Sequence, residues 1–197
     1  MKYTTALASL FAAAMAAPTA VQPVARQADT SAYFTVISQR SASPIHFQNL
    51  NARGGFFYLG GKGGPSSYCP SEVIGAENCP PGNTTTFAGG NNTLSLGVVV
   101  PGGQQVYVGP DGSLSYTTAH SAYIPDGSTV TGFSRTPAPN SDEFGYLNWD
   151  CGFLACPGSE DDGWKVYGKL DNVTFSDECL SFSAIAAPVD APGAWQY

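Results

Sequence analysis

Three consecutive carboxylates, Glu160-Asp161-Asp162, lie between two cysteines (Cys151 and Cys156) and two aromatics (Trp164 and Tyr167). Clustered oxygens of this kind are what a calcium ion takes as ligands. The stretch lacks the spaced Asp-x-Asp-x-Asp-Gly pattern that wraps a cation, and consecutive side chains of an extended segment diverge. It reads as a solvated acidic loop between two strands. His46 and His120 are the two histidines of the chain and form no metal-spaced pair, so no metal or other cofactor is expected. No Gly-x-Ser-x-Gly elbow supports a serine hydrolase.

Carboxylate chemistry has more support. A small acidic β protein could hydrolyse glycosides with two acids about 5 to 9 Å apart, or peptides with a Glu and a Gln. Asp142, Glu143, Asp150 and Glu178 are the available acids. Most sit in Pro/Gly/Ser-rich turns such as "APNSDEFG" and "TFSDEC". A catalytic acid needs an apolar hollow that raises its pKa. Asp150 beside Trp149, and less so Glu143 before Phe144, come nearest to that setting. The hydrolase is therefore the second alternative, and no catalytic residue is assigned. Aromatics offer a different chemistry, the stacking of rings on sugars. Tyr107, Trp164 and Tyr167 are the candidate sugar contacts, with Tyr116, Tyr123 and Trp149 as further aromatics in strand-like stretches. The competing role for each is ordinary cross-strand and core packing.

These residues must be placed by strands. "YFTVIS", "PIHFQNL", "TLSLGVVV" and "CLSFSAIA" alternate or are rich in β-formers, and "GGFFYLGG" is an apolar run bracketed by glycines. The clearest hairpin is "QQVYVGPDGSLSYTT". Its strands carry Val106 and Val108 on one arm and Leu114 and Tyr116 on the other, around Pro110-Asp111-Gly112. No segment beyond the leader keeps a 3.6-residue period. An echo links "LSLGVVVPGGQQVYVGPDGSLSY" to "FLACPGSEDDGWKVYG...ECLSF". The expected fold is a single compact antiparallel all-β domain, either a β-sandwich or a β-trefoil-like barrel.

Residues 1–17 read as a secretory signal peptide: Lys2, an apolar run, then small residues, with cleavage between 16 and 20. Residues 18–30 read as a short disordered or pro-segment, and 31–197 as the secreted domain. No second membrane-length hydrophobic stretch or lipid-anchor tail is apparent, so no membrane anchor is expected. A net charge of -7 argues against a nucleic-acid partner. Secretion gives the five cysteines an oxidising compartment, which implies two disulfides and a leftover thiol. The preferred pairs are Cys69–Cys79 and Cys156–Cys179, leaving Cys151 free. Pairing Cys151 with Cys156 is the alternative, disfavoured because so small a loop gains little entropically. Asn83, Asn91 and Asn172 head Asn-x-Ser/Thr sequons and are candidate glycosylation sites.

Three stretches carry a family resemblance: "YFTVISQRSASPIHFQNLNARGGFFYLGG", "QQVYVGPDGSLSYTTAH" and "ACPGSEDDGWKVYG...C". Together they resemble the secreted fungal proteins of the PhiA type, described as cell-wall or IgE-binding proteins. The likeness runs from about Tyr33 to the end of the chain. Its most specific part is Ala155-Cys156-Pro157, a loop, Trp164-x-Val166-Tyr167, then Cys179. The resemblance implies a non-enzymatic structural or surface component of the fungal wall, linked to asexual spore-bearing structures and allergen-like. Its implied partner is wall polysaccharide or glycoprotein matrix. It supplies no catalytic residues. Relatives tend to end in Cys-x-Tyr where this chain has Trp195-Gln196-Tyr197. A missing disulfide partner there agrees with the odd cysteine count and leaves Cys151 or another thiol unpaired. A free carbohydrate-binding, lectin-like module is the first alternative.

Overall fold

The computed structural model describes residues 31–140 and 143–197. The leader, the 18–30 segment and Asp142 lie outside the described residues. Among those described there are eleven strands. In chain order they are β1 (Tyr33–Gln39), β2 (Leu50–Arg53), β3 (Phe56–Leu59), β4 (Thr86–Leu96), β5 (Val106–Val108), β6 (Leu114–Tyr116), β7 (Phe133–Thr136), β8 (Gly145–Trp149), β9 (Phe153–Pro157), β10 (Trp164–Gly168) and β11 (Leu180–Val189). A one-turn helix, α1 (Ser71–Ile74), and a 3-10 turn at Ala76–Asn78 sit in the loop after β3.

All strand pairings named here are antiparallel. β1 lies along β11 from Tyr33 opposite Val189 to Gln39 opposite Ser183. β11 also pairs with β8, β8 with β7, β7 with β4, and β4 with β1. Those five strands therefore close on themselves. The start of β11 pairs with β9. From there the sheet continues through β10, β3, β6 and β5, with β2 on the far edge of β3. The choice between sandwich and barrel thus resolves into one curled sheet, a barrel-like ring carrying an open wing. The two halves of the sequence echo are neighbouring hairpins. Ser113 bridges Tyr167, and the Gly168 amide donates to the Gly112 carbonyl at 2.9 Å.

Alternation along each strand sorts core from surface. Phe34 and Val36 of β1, Phe57 and Leu59 of β3, Val106 and Val108 of β5, and Ala155 of β9 are buried. An aromatic ladder joins ring to wing. Phe34 stacks on Phe87 with centroids 5.8 Å apart, Phe87 on Phe57 at 5.5 Å, and Phe57 meets the edge of Tyr116 at 5.2 Å. Tyr116 and Trp149, two of the aromatics considered from sequence for sugar contact, belong to this core. The Trp149 indole N–H donates to the Thr131 carbonyl.

The Pro110-Asp111-Gly112 turn forms as its residues require. Gly112 takes a φ of 83°, open to glycine at little cost, and Asp111 Oδ1 accepts from the Ser113 amide and hydroxyl at 3.0 and 2.7 Å. The disulfides join Cys69 to Cys79 and Cys156 to Cys179. The second follows from register. Ala155 faces Leu180 across β9 and β11, so the next pair outward is Cys156 and Cys179. Cys151 is exposed and unbridged in the bend between β8 and β9.

Candidate functional site

The wing buries one face and presents the other. On β3, Phe57 and Leu59 point into the core, which turns Phe56 and Tyr58 outward. On β10, Val166 points inward and Lys165 and Tyr167 outward. Tyr107 projects outward between Val106 and Val108. Register assembles these side chains. Tyr58 faces Lys165 across β3 and β10. Arg53, Phe56, Ser115 and Tyr107 form a row across β2, β3, β6 and β5. Four half-buried rings thus share one surface, with Ser113 and Ser115 buried beneath them.

Two cations are woven into the rings. Lys165 Nζ lies 3.7 Å from the Phe56 ring centroid and 5.4 Å from that of Tyr167, and the Arg53 guanidinium sits 4.9 Å over Tyr58. Phe175 meets Tyr167 edge-on at 5.5 Å. Burial holds the Lys165 amine below its ordinary range, partly offset by attraction to Asp111. Burial also pushes Asp111 up. Hydrogen bonds from the Ser113 side chain and backbone, with the charge of Lys165, outweigh that effect and leave its carboxyl lowered. The result is a flat, amphipathic surface with phenol and ammonium donors at its centre and little unbalanced charge.

This surface also fixes an alkaline response. Burial raises the phenols of Tyr58, Tyr107 and Tyr167, and those of Tyr116 and Tyr197, above the ordinary 10.0. Above that pH the unfolded chain releases these protons before the folded chain does. Their contribution to stability is complete below 10.0 and is lost as pH rises through the raised values. Lys165 acts in the opposite sense. Its folded pKa lies below 10.5, so its contribution grows with pH up to that value. Five tyrosines outweigh one lysine, so the melting temperature is expected to fall once pH exceeds 10.0. Thermal melts across the alkaline range check this. A flat or rising melting temperature there contradicts it.

Of the three candidate sugar-contact aromatics, the structure brings Tyr107 and Tyr167 together and separates Trp164. Residues 164 and 166 share the inner face of β10, and Trp164 packs half-buried against the core. Tyr123 is exposed in a loop. Phe56, Tyr58, Lys165 and Arg53 were not singled out from sequence. The signal for the first two was present, because period-2 alternation through "FFYL" turns alternate rings outward. Asp150 and Glu178 are exposed, and exposed Glu143 accepts a hydrogen bond from Asn140 Nδ2 at 2.7 Å. In the acidic loop Asp161 pairs with Lys62 at 2.8 Å, both side chains more than 70% exposed (72% and 77%). Among the described residues no group of three or more His, Cys, Asp or Glu could hold a metal. Asn83, Asn91 and Asn172 are all exposed.

A family profile described as "PhiA-like secreted protein" matches residues 34–197, which include every residue of the aromatic face. The chain belongs to the PhiA-like secreted protein family. It is 40% identical over 156 residues to an "Uncharacterized secreted protein" of Arthroderma benhamiae, covering 75% of this chain and 76% of that one. No solved structure matches. Family and relative are both described as secreted, which makes this family member an extracellular protein.

Proposed function

We propose that this protein is a non-enzymatic structural component of the fungal cell wall, held to wall polysaccharide by the outer face of its wing. The carrying observation is the set of four outward rings, Phe56, Tyr58, Tyr107 and Tyr167, arranged around Lys165 on a rigid sheet. Monomeric proteins seldom leave a contiguous aromatic surface open without a partner. Rings of this kind stack on the apolar faces of sugars, while their hydroxyls and the Lys165 ammonium donate to sugar oxygens. The near-balance of charge suits a neutral polymer better than a charged one. The resemblance to wall-associated family members supports the same location. The link to asexual spore-bearing structures and the allergen-like character belong to this proposal and rest on that resemblance.

Fractionation of the source culture tests the location. The protein is expected in washed wall fractions, released by chaotrope or glucanase, and enriched on asexual structures by immunolabelling. Recovery from the medium alone, with none in the wall, overturns it. The non-enzymatic part falls if the protein releases reducing sugar or peptide at acid pH and loses that activity in Asp150→Asn or Glu143→Gln.

A further inference from the structure

A concavity lies on the other side of the wing from the aromatic face. It has a volume of about 370 Å³ and opens between residues 157–163 and the loop that follows β1. Trp164 and the buried Leu59 give it an apolar base, Pro44 and Pro157 apolar walls, and Gln48 and Glu160 its polar groups. Both walls are fixed before any ligand arrives. The Arg53 guanidinium donates to the carbonyls of Lys62 and Asp162, and the Lys62 amide donates to the Asp161 carbonyl at 2.9 Å. A Cβ on Gly61, at φ 81°, would lie 2.5 Å from the Asp162 carbonyl oxygen, so only glycine permits this approach. On the opposite wall, the fully buried Ser38 hydroxyl donates to the Ile45 carbonyl and accepts from the Gln48 amide at 3.1 Å. The residue before Gln48 is Phe47, 60% exposed. It is held at φ 56°, a costly conformation for a bulky side chain, with its ring stacked 3.9 Å from that of His46.

The lining selects its ligand. An anion would meet Glu160 with Asp161 and Asp162 close by, and the nearby Lys62 is already paired with Asp161. A purely apolar ligand would cover the partly buried Gln48 side-chain amide without offering it a partner, and would make no use of the exposed Glu160 carboxylate. What fits is a neutral molecule with an apolar face and a rim of hydroxyls. Such a molecule stacks on the indole while the amide and carboxylate bind adjacent hydroxyls. The volume is near the lower end for small-molecule sites. We propose that this cleft binds a single neutral pyranose residue at the end of a glycan chain. The proposal does not depend on what the outer aromatic face binds.

The test is an NMR titration of the secreted protein with methyl glycosides of glucose, N-acetylglucosamine and mannose, following the three tryptophan indole signals. The Trp164 signal is expected to shift saturably while those of Trp149 and Trp195 stay fixed. Gln48→Ala and Glu160→Gln, both at accessible positions, should each weaken the response about tenfold, the worth of one hydrogen bond to ligand. Tyr107→Ala, on β5 and without contact to Arg53 or the cleft lining, should leave it unchanged. A preference for glucose or N-acetylglucosamine assigns the cleft to wall polysaccharide, and a preference for mannose to protein-linked glycans. The proposal is overturned if no glycoside moves the Trp164 signal, or if both cleft variants titrate like the parent. Loss of wall binding in the outer-face variants with an intact Trp164 response separates the two sites.

Discussion

Phe57→Ala is expected to destabilise the protein by about 4 kcal/mol, the scale for emptying a fully buried phenylalanine site. Phe57 is 0% exposed and is the central ring of the ladder, touching Phe87 on one side and Tyr116 on the other. Phe87 belongs to the closed five-strand ring and Tyr116 to the wing. The lost side chain therefore opens a hole where the two parts of the sheet meet, and neither wall can collapse without moving a strand. At about 2–4 °C per kcal/mol for a domain of this size, the melting temperature should fall by about 12 °C. Phe57→Leu keeps much of the volume and should cost about 1–2 kcal/mol. If Phe57→Ala melts within a degree or two of the parent, ring and wing are not joined through this ladder.

Gln104→Leu should cost about 3 kcal/mol with almost no change in volume, because its effect is polar. Gln104 is 1% exposed and works as a clamp. Its Nε2 donates to the Thr117 carbonyl at 3.0 Å and to the Tyr197 carbonyl at 2.8 Å, and its Oε1 accepts from the Tyr197 amide at 2.8 Å. Tyr197 in turn donates its hydroxyl to the Thr84 carbonyl at 2.5 Å and accepts from the Thr86 amide at 3.1 Å. Leucine removes the amide and leaves the buried Thr117 carbonyl and the partly buried main-chain groups of Tyr197 without these partners. The same substitution should free residues 193–197 locally. Their amides, and that of Val100 which donates to the Trp195 carbonyl at 3.0 Å, should exchange faster than those of β1 and β11. An unchanged melting temperature together with unchanged exchange at Val100 would contradict the clamp.

The readable parts of this sequence are local ones. The Pro110-Asp111-Gly112 hairpin was legible because three adjacent residues determine a turn. The all-β class was legible because period-2 alternation recurs without a helical stretch. The Cys156–Cys179 and Cys69–Cys79 pairs of the structure were the preferred ones on loop entropy, against the smaller Cys151–Cys156 loop. The closure of the ring was not legible. It depends on β1 meeting β11, strands that begin and end the domain, and no local pattern encodes a pairing over that separation. The aromatic face was half legible. Tyr107 and Tyr167 stand in alternating strands, whereas Phe56 and Tyr58 are hidden in a run of four apolar residues whose inward and outward members look alike. Trp164 is set apart from the outer face for a related reason. One residue along a strand reverses the face, and the boundary of β10 decides which face that is. Gln104, a buried side chain with three hydrogen bonds, carries no sequence signal beyond being a glutamine before a strand.

Co-sedimentation with insoluble β-glucan and chitin tests the wall-adhesion account most directly, comparing the parent with a Tyr58→Ala/Tyr167→Ala variant whose fold is verified by circular dichroism. The parent is expected to leave the supernatant with at least one of these polymers. The double variant should bind about tenfold more weakly, the loss of two stacking contacts. A parent protein that stays in solution with every wall polymer, or a double variant that sediments as well as the parent, contradicts it.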